Sequence, residues 1–207
     1  MQMYKVFFNE RFVLLTDKIG SLNLKGNVLY IEYWNKSSIN ILIDRFNKNK
    51  TIDKLVIYYH DLNELWFVFQ SCFYFIEAAG GFIKNQHEEI LLMKRNNMWD
   101  LPKGKLEKNE LPKLAAIREV SEECGIHNHE IVNTLNPTYH TFLINDEKML
   151  KKTYWYEMKY SGNEKLVPQI EEGITDVVWV KQDEIEIYFP KMYKSIIEVI
   201  KEASHKK

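Results

Sequence analysis

Residues 104–126 read GKLEKNELPKLAAIREVSEECGI. Glu119, Glu122 and Glu123 stand at the i, i+3 and i+4 spacing that stacks side chains on one face of a helix. Like charges at that spacing repel by a few tenths of a kcal/mol per pair, so the cluster calls for a positive partner. The flanking residues mark the ends of the helix. Pro112 suits the first turn, where a missing N–H costs nothing, and Gly125 suits the residue after the last turn, where φ becomes positive. The pattern predicts a helix over roughly 111–124. With no lysine between the three carboxylates, their oxygens suit a hard dication, magnesium above all or manganese in its place. Such a cation is usually shared between carboxylates and the phosphates of a substrate, and it polarises phosphoryl oxygens and activates water.

Outward from this helix the chain divides by pattern. Residues 4–16 read as a hairpin turning at Asn9 and Glu10, and 27–34 and 54–59 read as strands. A helix is expected over 37–49 with Ser37 or Ser38 as its cap, and an apolar one over 61–72 behind Asp61. This makes 1–72 a small N-terminal α/β domain of unassigned role, just large enough to support a core. From residue 73 the pattern changes. Strands are expected at 73–85, 88–95, 129–136, 139–145, 151–160 and 175–180, with a loop, NNMWDLPKG, ahead of the acidic helix. Residues 73–190 form the second domain, and 191–207 are expected to close the chain as a helix packed on it. Met192, Ile196, Val199 and Ile200 make the apolar stripe of that helix.

Bulk composition narrows the class. The chain has 207 residues, 45% hydrophobic and 28% charged, with a formal net charge of -1. That is the profile of a globular protein without the overall basic field that draws chains to nucleic acid or anionic lipid, so neither partner is expected. The N-terminus is interrupted by Lys5, Glu10 and Arg11 and does not read as a signal peptide; the apolar run 65–76 is too short to span a bilayer. Two cysteines, Cys72 and Cys124, do not make a disulfide framework, and a cytoplasmic location is expected. Burial of the aromatic run 65–76 within one chain or in a homodimer is left open by the sequence.

The stretch 104–126 resembles the Nudix box in every defined position: Gly104, Glu110, Arg118, Glu119, the aliphatic Val120, Glu122, Glu123, Gly125 and the aliphatic Ile126. The resemblance to Nudix hydrolases covers about 73–190 and implies an α+β fold, an α-β-α sandwich in which a mixed sheet carries a catalytic loop–helix–loop. It implies that Glu119, Glu122 and Glu123 hold magnesium together with the backbone carbonyl of Lys103. It also implies that Arg118 and Glu110 pair to orient helix and loop, and that Gly104 and Gly125 permit the tight geometry. Many members add a distal acid from a later loop; Glu172, or its neighbour Glu171, stands where that loop falls.

The lead-in WDLPKGKLE resembles the branch acting on dinucleoside and diphosphoinositol polyphosphates. The implied activity is metal-dependent hydrolysis of a phosphoanhydride in a small molecule, a dinucleoside polyphosphate first. The alternatives are a nucleoside triphosphate, ADP-ribose or nucleotide-sugar pyrophosphatase, and, in another class, a non-catalytic nucleotide-sensing module. Pro137 lies nearer to the box than the proline typical of the ADP-ribose branch. Around the metal cluster, Lys103 and Lys105 would neutralise phosphate, and Arg95, with Lys94 beside it, would reach the phosphate chain. Alternation in 151–160 places Lys152, Tyr154 and Tyr156 on one face, where a lysine could hold phosphate and a tyrosine stack a base. His140, with Tyr139, would line the same cavity. His127 and His129 lack a ligand set and are not read as metal ligands.

Overall fold

The computed structural model describes residues 3–20 and 22–205. Its contacts divide into two compact units. One runs to Ile76 and takes in Tyr139–Lys151; the other comprises Glu77–Thr138 and the chain from Lys152 onward. Sequence patterning puts 139–151 in the second part, whereas its contacts lie with the first.

In the first unit, β1 (Met3–Phe8) and β2 (Arg11–Thr16) form an antiparallel hairpin, with Asn9 at φ 56° in the turn. Asparagine tolerates that left-handed conformation, which the two-residue turn needs. β3 (Val28–Glu32) and β4 (Lys54–Tyr58) pair in parallel, and β4 also pairs in parallel with β2. Parallel neighbours need a crossover, which α1 (Lys36–Lys48) supplies. The cap of α1 is Asn35, which accepts the Ser38 N–H at 2.9 Å, rather than Ser37 or Ser38. At the other end the Arg11 guanidinium donates to the Phe46 and Asn49 carbonyls at 2.7 and 2.9 Å, acceptors the helix leaves open, and to the Ile52 carbonyl beyond it at 3.1 Å. α2 (Leu62–Gln70) is capped by Asp61. Its Leu65 and Phe69 join Ile39 and Ile43 of α1 over Val13, Leu15, Leu55 and Ile57 of the strands.

The second unit holds β6 (Ile90–Arg95), β11 (Ile174–Val180) and the larger parts of β5 (Tyr74–Asn85), β9 (Glu130–Ile144) and β10 (Glu147–Tyr160), in the order β11-β6-β5-β10-β9; residues 74–76 of β5 and the parts of β9 and β10 within 139–151 count with the first unit. β9 is one strand where the sequence reads as two. The expected loop at 96–104 contains two short strands, β7 (Met98–Asp100) against β6 and β8 (Lys103–Lys105) against β5. Both faces of the sheet are covered. Ile90 and Leu92 of β6 point to a cluster with Ile196, Val199 and Ile200 of α4 (Lys194–His205), and Leu91 points to a cluster with Ala115, Ala116 and Val120 of α3 (Pro112–Cys124). This is the α-β-α sandwich expected from the sequence. The closing helix is shorter than its apolar stripe implies. Gln182–Lys191 is 3₁₀, Met192 is buried ahead of α4, and Lys206 and Lys207 lie outside the described residues. No helix among the described residues is long and apolar enough to cross a membrane.

Candidate active site

α3 starts with Pro112 in its first turn and stops where Gly125 takes φ 70° and donates to the Ser121 carbonyl at 2.9 Å. Val120, Ala115 and Ala116 bury one face under the sheet, which turns the carboxylates toward the chain at 103–110. A Cβ on Gly104 would overlap the Glu119 carboxylate and displace it.

The charge balance of the helix rests on Arg118. Its guanidinium grips Glu110 through two donors at 2.9 and 2.8 Å, and it reaches Glu119 at 2.8 Å, Glu122 at 3.0 Å and the Lys105 carbonyl at 3.1 Å. The bond from Arg118 holds the Glu110 carboxyl down at about 2, and these same bonds push the guanidinium well above its usual range. The sequence reading gives compensation of the repulsion to a metal; Arg118, itself within the motif, also pairs with Glu119 and Glu122.

Glu123 is different. Its side chain is fully buried, and one oxygen accepts the Lys103 backbone N–H at 2.7 Å. The other oxygen, Oε1, has no hydrogen-bond partner, and Arg95 Nη1 approaches it only to 3.8 Å. Burial raises this carboxyl to about 8, against the opposing pull of Lys103. Burial also raises Glu119, where Arg118 opposes it. Arg95 Nη1 lies 3.3 Å from Glu172, so one guanidinium links the acid of the later loop with the buried acid of the helix. Glu171 is exposed in the same 3₁₀ turn, Ile170–Glu172.

The donor set fits a divalent cation chemically. It is all oxygen, and a buried carboxylate oxygen without a donor, as at Glu123, is costly unless something satisfies it. As the side chains stand, no group of three acidic, histidine or cysteine residues among those described converges on a point. Arg118 holds Glu119 and Glu122 to itself, so a cation there would share these carboxylates with the guanidinium.

The remaining sequence candidates separate. Lys105 is exposed on β8. Lys152 donates to the Tyr154 hydroxyl at 2.9 Å and sits 4.1 Å over its ring, and that hydroxyl donates to Glu77 at 2.6 Å. Tyr156 does not join this pair. It is buried beneath α3 with Ala115, Ala116 and Val120, so its ring is core and not a surface for stacking a base. His140 and Tyr139 belong to the first unit, and the box residues to the second. Lys94 pairs with Asp176 at 3.4 Å. His129 is buried against the Ile117 carbonyl at 3.2 Å. The Lys103 ammonium, expected to face phosphate, is instead turned inward onto Asp100 at 2.6 Å. Asp100 and Glu77 were not singled out by sequence; an acid three residues before Lys103 was the available signal. A cavity of about 730 Å³ lies in the first unit, between the β1–β2 turn and the end of α1, and none of the box residues lines it.

A NUDIX domain model matches residues 75–202, and the chain belongs to that family. It is 37% identical over 57 residues to an 8-oxo-dGTP diphosphatase of Proteus vulgaris, a match covering 25% of this chain and 51% of that one. It is 31% identical over 120 residues to an RNA pyrophosphohydrolase of Campylobacter jejuni, covering 54% of this chain and 71% of that one. The solved structure of a NUDIX hydrolase from Nitrosomonas europaea superimposes with a TM-score of 0.49 at 20% identity, covering 62% of this chain and 88% of that one. The chain spans about half the length, or less, of several curated relatives it matches.

Proposed function

We propose that the second unit hydrolyses a phosphoanhydride bond in a nucleotide, using a divalent cation held by Glu119, Glu122, Glu123 and the Lys103 carbonyl. The observation that carries this reading is the complete box, its three glutamates on α3, with a buried, donorless oxygen at Glu123. Bound there, magnesium would polarise a phosphoryl oxygen and lower the pKa of water. The chain's own residues do the rest. Arg118 keeps Glu119 and Glu122 on one side of the helix, and its grip on Glu110 ties the helix to the preceding loop. Arg95, beside both Glu123 and Glu172, is placed to take a phosphate oxygen, and its pairing supports Glu172 over Glu171 as the distal acid. Lys105 adds positive charge at the exposed edge.

For substrate, the ammonium of Lys152 beside Tyr154 supports a ligand with a long phosphate chain, a dinucleoside polyphosphate. A second reading, a nucleoside or RNA 5′-triphosphate, is favoured by the names of the Proteus and Campylobacter relatives. Magnesium titration against a panel of diadenosine tetraphosphate, dGTP, triphosphorylated RNA and ADP-ribose, with phosphate products followed, tests both. Turnover of none of them at saturating magnesium would favour a sensing module instead.

A further inference from the structure

Ahead of the acidic helix, Asp100 and Lys103 form an ion pair that is almost wholly withdrawn from water. Their side chains are 8% and 13% exposed, and Lys103 Nζ lies 2.6 Å from Asp100 Oδ2. The other Asp100 oxygen accepts the Leu101 N–H at 2.8 Å. Pairing charges in the interior adds little stability over an apolar pair of the same size, since desolvation cancels the attraction. What this pair does supply is direction. The segment between its members is pinned on one side by β5, where Gly81 N–H donates to the Pro102 carbonyl at 3.0 Å, and a Cβ on Gly80 would overlap Pro102 and Lys103. On the other side the Lys103 N–H is aimed at Glu123 at 2.7 Å. With its ammonium drawn onto Asp100, Lys103 presents its peptide group to the acidic helix, while its charge stays inside.

We infer that Asp100 is a positioning residue. By anchoring the Lys103 side chain inward it fixes the Lys103 peptide, whose N–H occupies one oxygen of Glu123 and leaves the other for a divalent cation. Lys103 is thus not a phosphate-binding lysine, and the charge for phosphate comes from Arg95 and Lys105. This rests on the divalent-cation reading above.

The test uses the full chain stripped of metal. Mn²⁺ binding is measured by calorimetry, and hydrogen exchange is followed at the Lys103 amide, in wild type, Asp100→Asn and the apolar double variant Asp100→Leu/Lys103→Met. Asp100→Asn is expected to weaken Mn²⁺ binding about 10-fold or more and to speed exchange at Lys103. The double variant leaves no buried charge unpaired, so it is expected to match wild type in melting temperature yet keep the weak Mn²⁺ binding, and it carries the same test if Asp100→Asn fails to fold. In turnover, Lys103→Met should lower kcat with little change in KM. Wild-type Mn²⁺ affinity in either Asp100 variant overturns the inference, as does a Lys103→Met enzyme altered in KM alone. Absence of Mn²⁺ binding in the wild type would instead overturn the proposed function. Exchange at Lys103 would then decide the anchoring by itself: unchanged exchange in Asp100→Asn refutes it.

Discussion

Arg118→Ala removes the hub of the acidic helix. Five hydrogen bonds go with it: two to Glu110, one each to Glu119 and Glu122, and one to the Lys105 carbonyl. The Glu122 partner is about half exposed and loses little, since exposed pairs are worth less than about 1 kcal/mol. Glu110 and Glu119 are 13% and 9% exposed and are left as near-buried carboxylates without a cation. Removing one partner of a buried pair costs about 3–5 kcal/mol, and because Arg118 is itself 24% exposed the low end applies, about 3 kcal/mol. For a chain of this size each kcal/mol shifts Tm by about 2–4 °C, so Tm should fall by roughly 6–12 °C. The assay is thermal unfolding at pH 7 with chelator present. Magnesium should then raise the Tm of the variant more than that of the wild type, because it meets carboxylates that no longer have Arg118. Arg118→Lys keeps one charge but loses the fork, and should fall between. An unchanged Tm with a raised substrate KM would refute the argument, and would make Arg118 a substrate contact.

Metal-free stability should depend on pH with opposite signs at two glutamates. Glu123 titrates near 8 when folded, against an ordinary value of 4.5, so between these limits the folded chain holds the extra proton and stability falls as pH rises. Glu110, held at about 2, works the other way: its contribution is present above 4.5 and is lost as pH falls toward 2. Tm in chelator should therefore peak near pH 5, and Glu123→Gln should flatten only the upper limb; a Tm rising steadily from pH 5 to 8 would contradict this. Lys152→Ala should lower kcat/KM about 10- to 100-fold on substrates with four or more phosphates and less on ADP-ribose, since a charge-assisted contact contributes about 1.5–3 kcal/mol. Equal losses on both would show that Lys152 does not read chain length.

The acidic helix was legible because its determinants are local. Pro112, the apolar spacing and Gly125 define its ends and its buried face without reference to the rest of the chain. The substrate side was less legible because strand alternation tells which residues share a face and not what covers it. Both faces of β10 are packed, Trp155 into the α4 cluster and Tyr156 into the α3 cluster, so a tyrosine in the pattern of a binding strand is core. The place of His140 followed from contacts of 139–151 with strands more than a hundred residues away, such as the pairing of His140 with Phe7. The inward turn of Lys103 depends on a buried aspartate in a stretch that reads as loop, where neither periodicity nor propensity points.

The most direct measurement is phosphate release from diadenosine tetraphosphate and dGTP by wild type and Glu122→Gln across a magnesium titration. Glu122 is half exposed and, among the described residues, paired with Arg118, so the substitution removes one charge and leaves the packing intact. The account predicts magnesium-dependent turnover in the wild type and a loss of at least about 100-fold in the variant, the scale of removing a key electrostatic stabiliser. Its Tm in chelator should be unchanged. Wild-type turnover by Glu122→Gln at saturating magnesium would contradict the claim that this helix is the catalytic site.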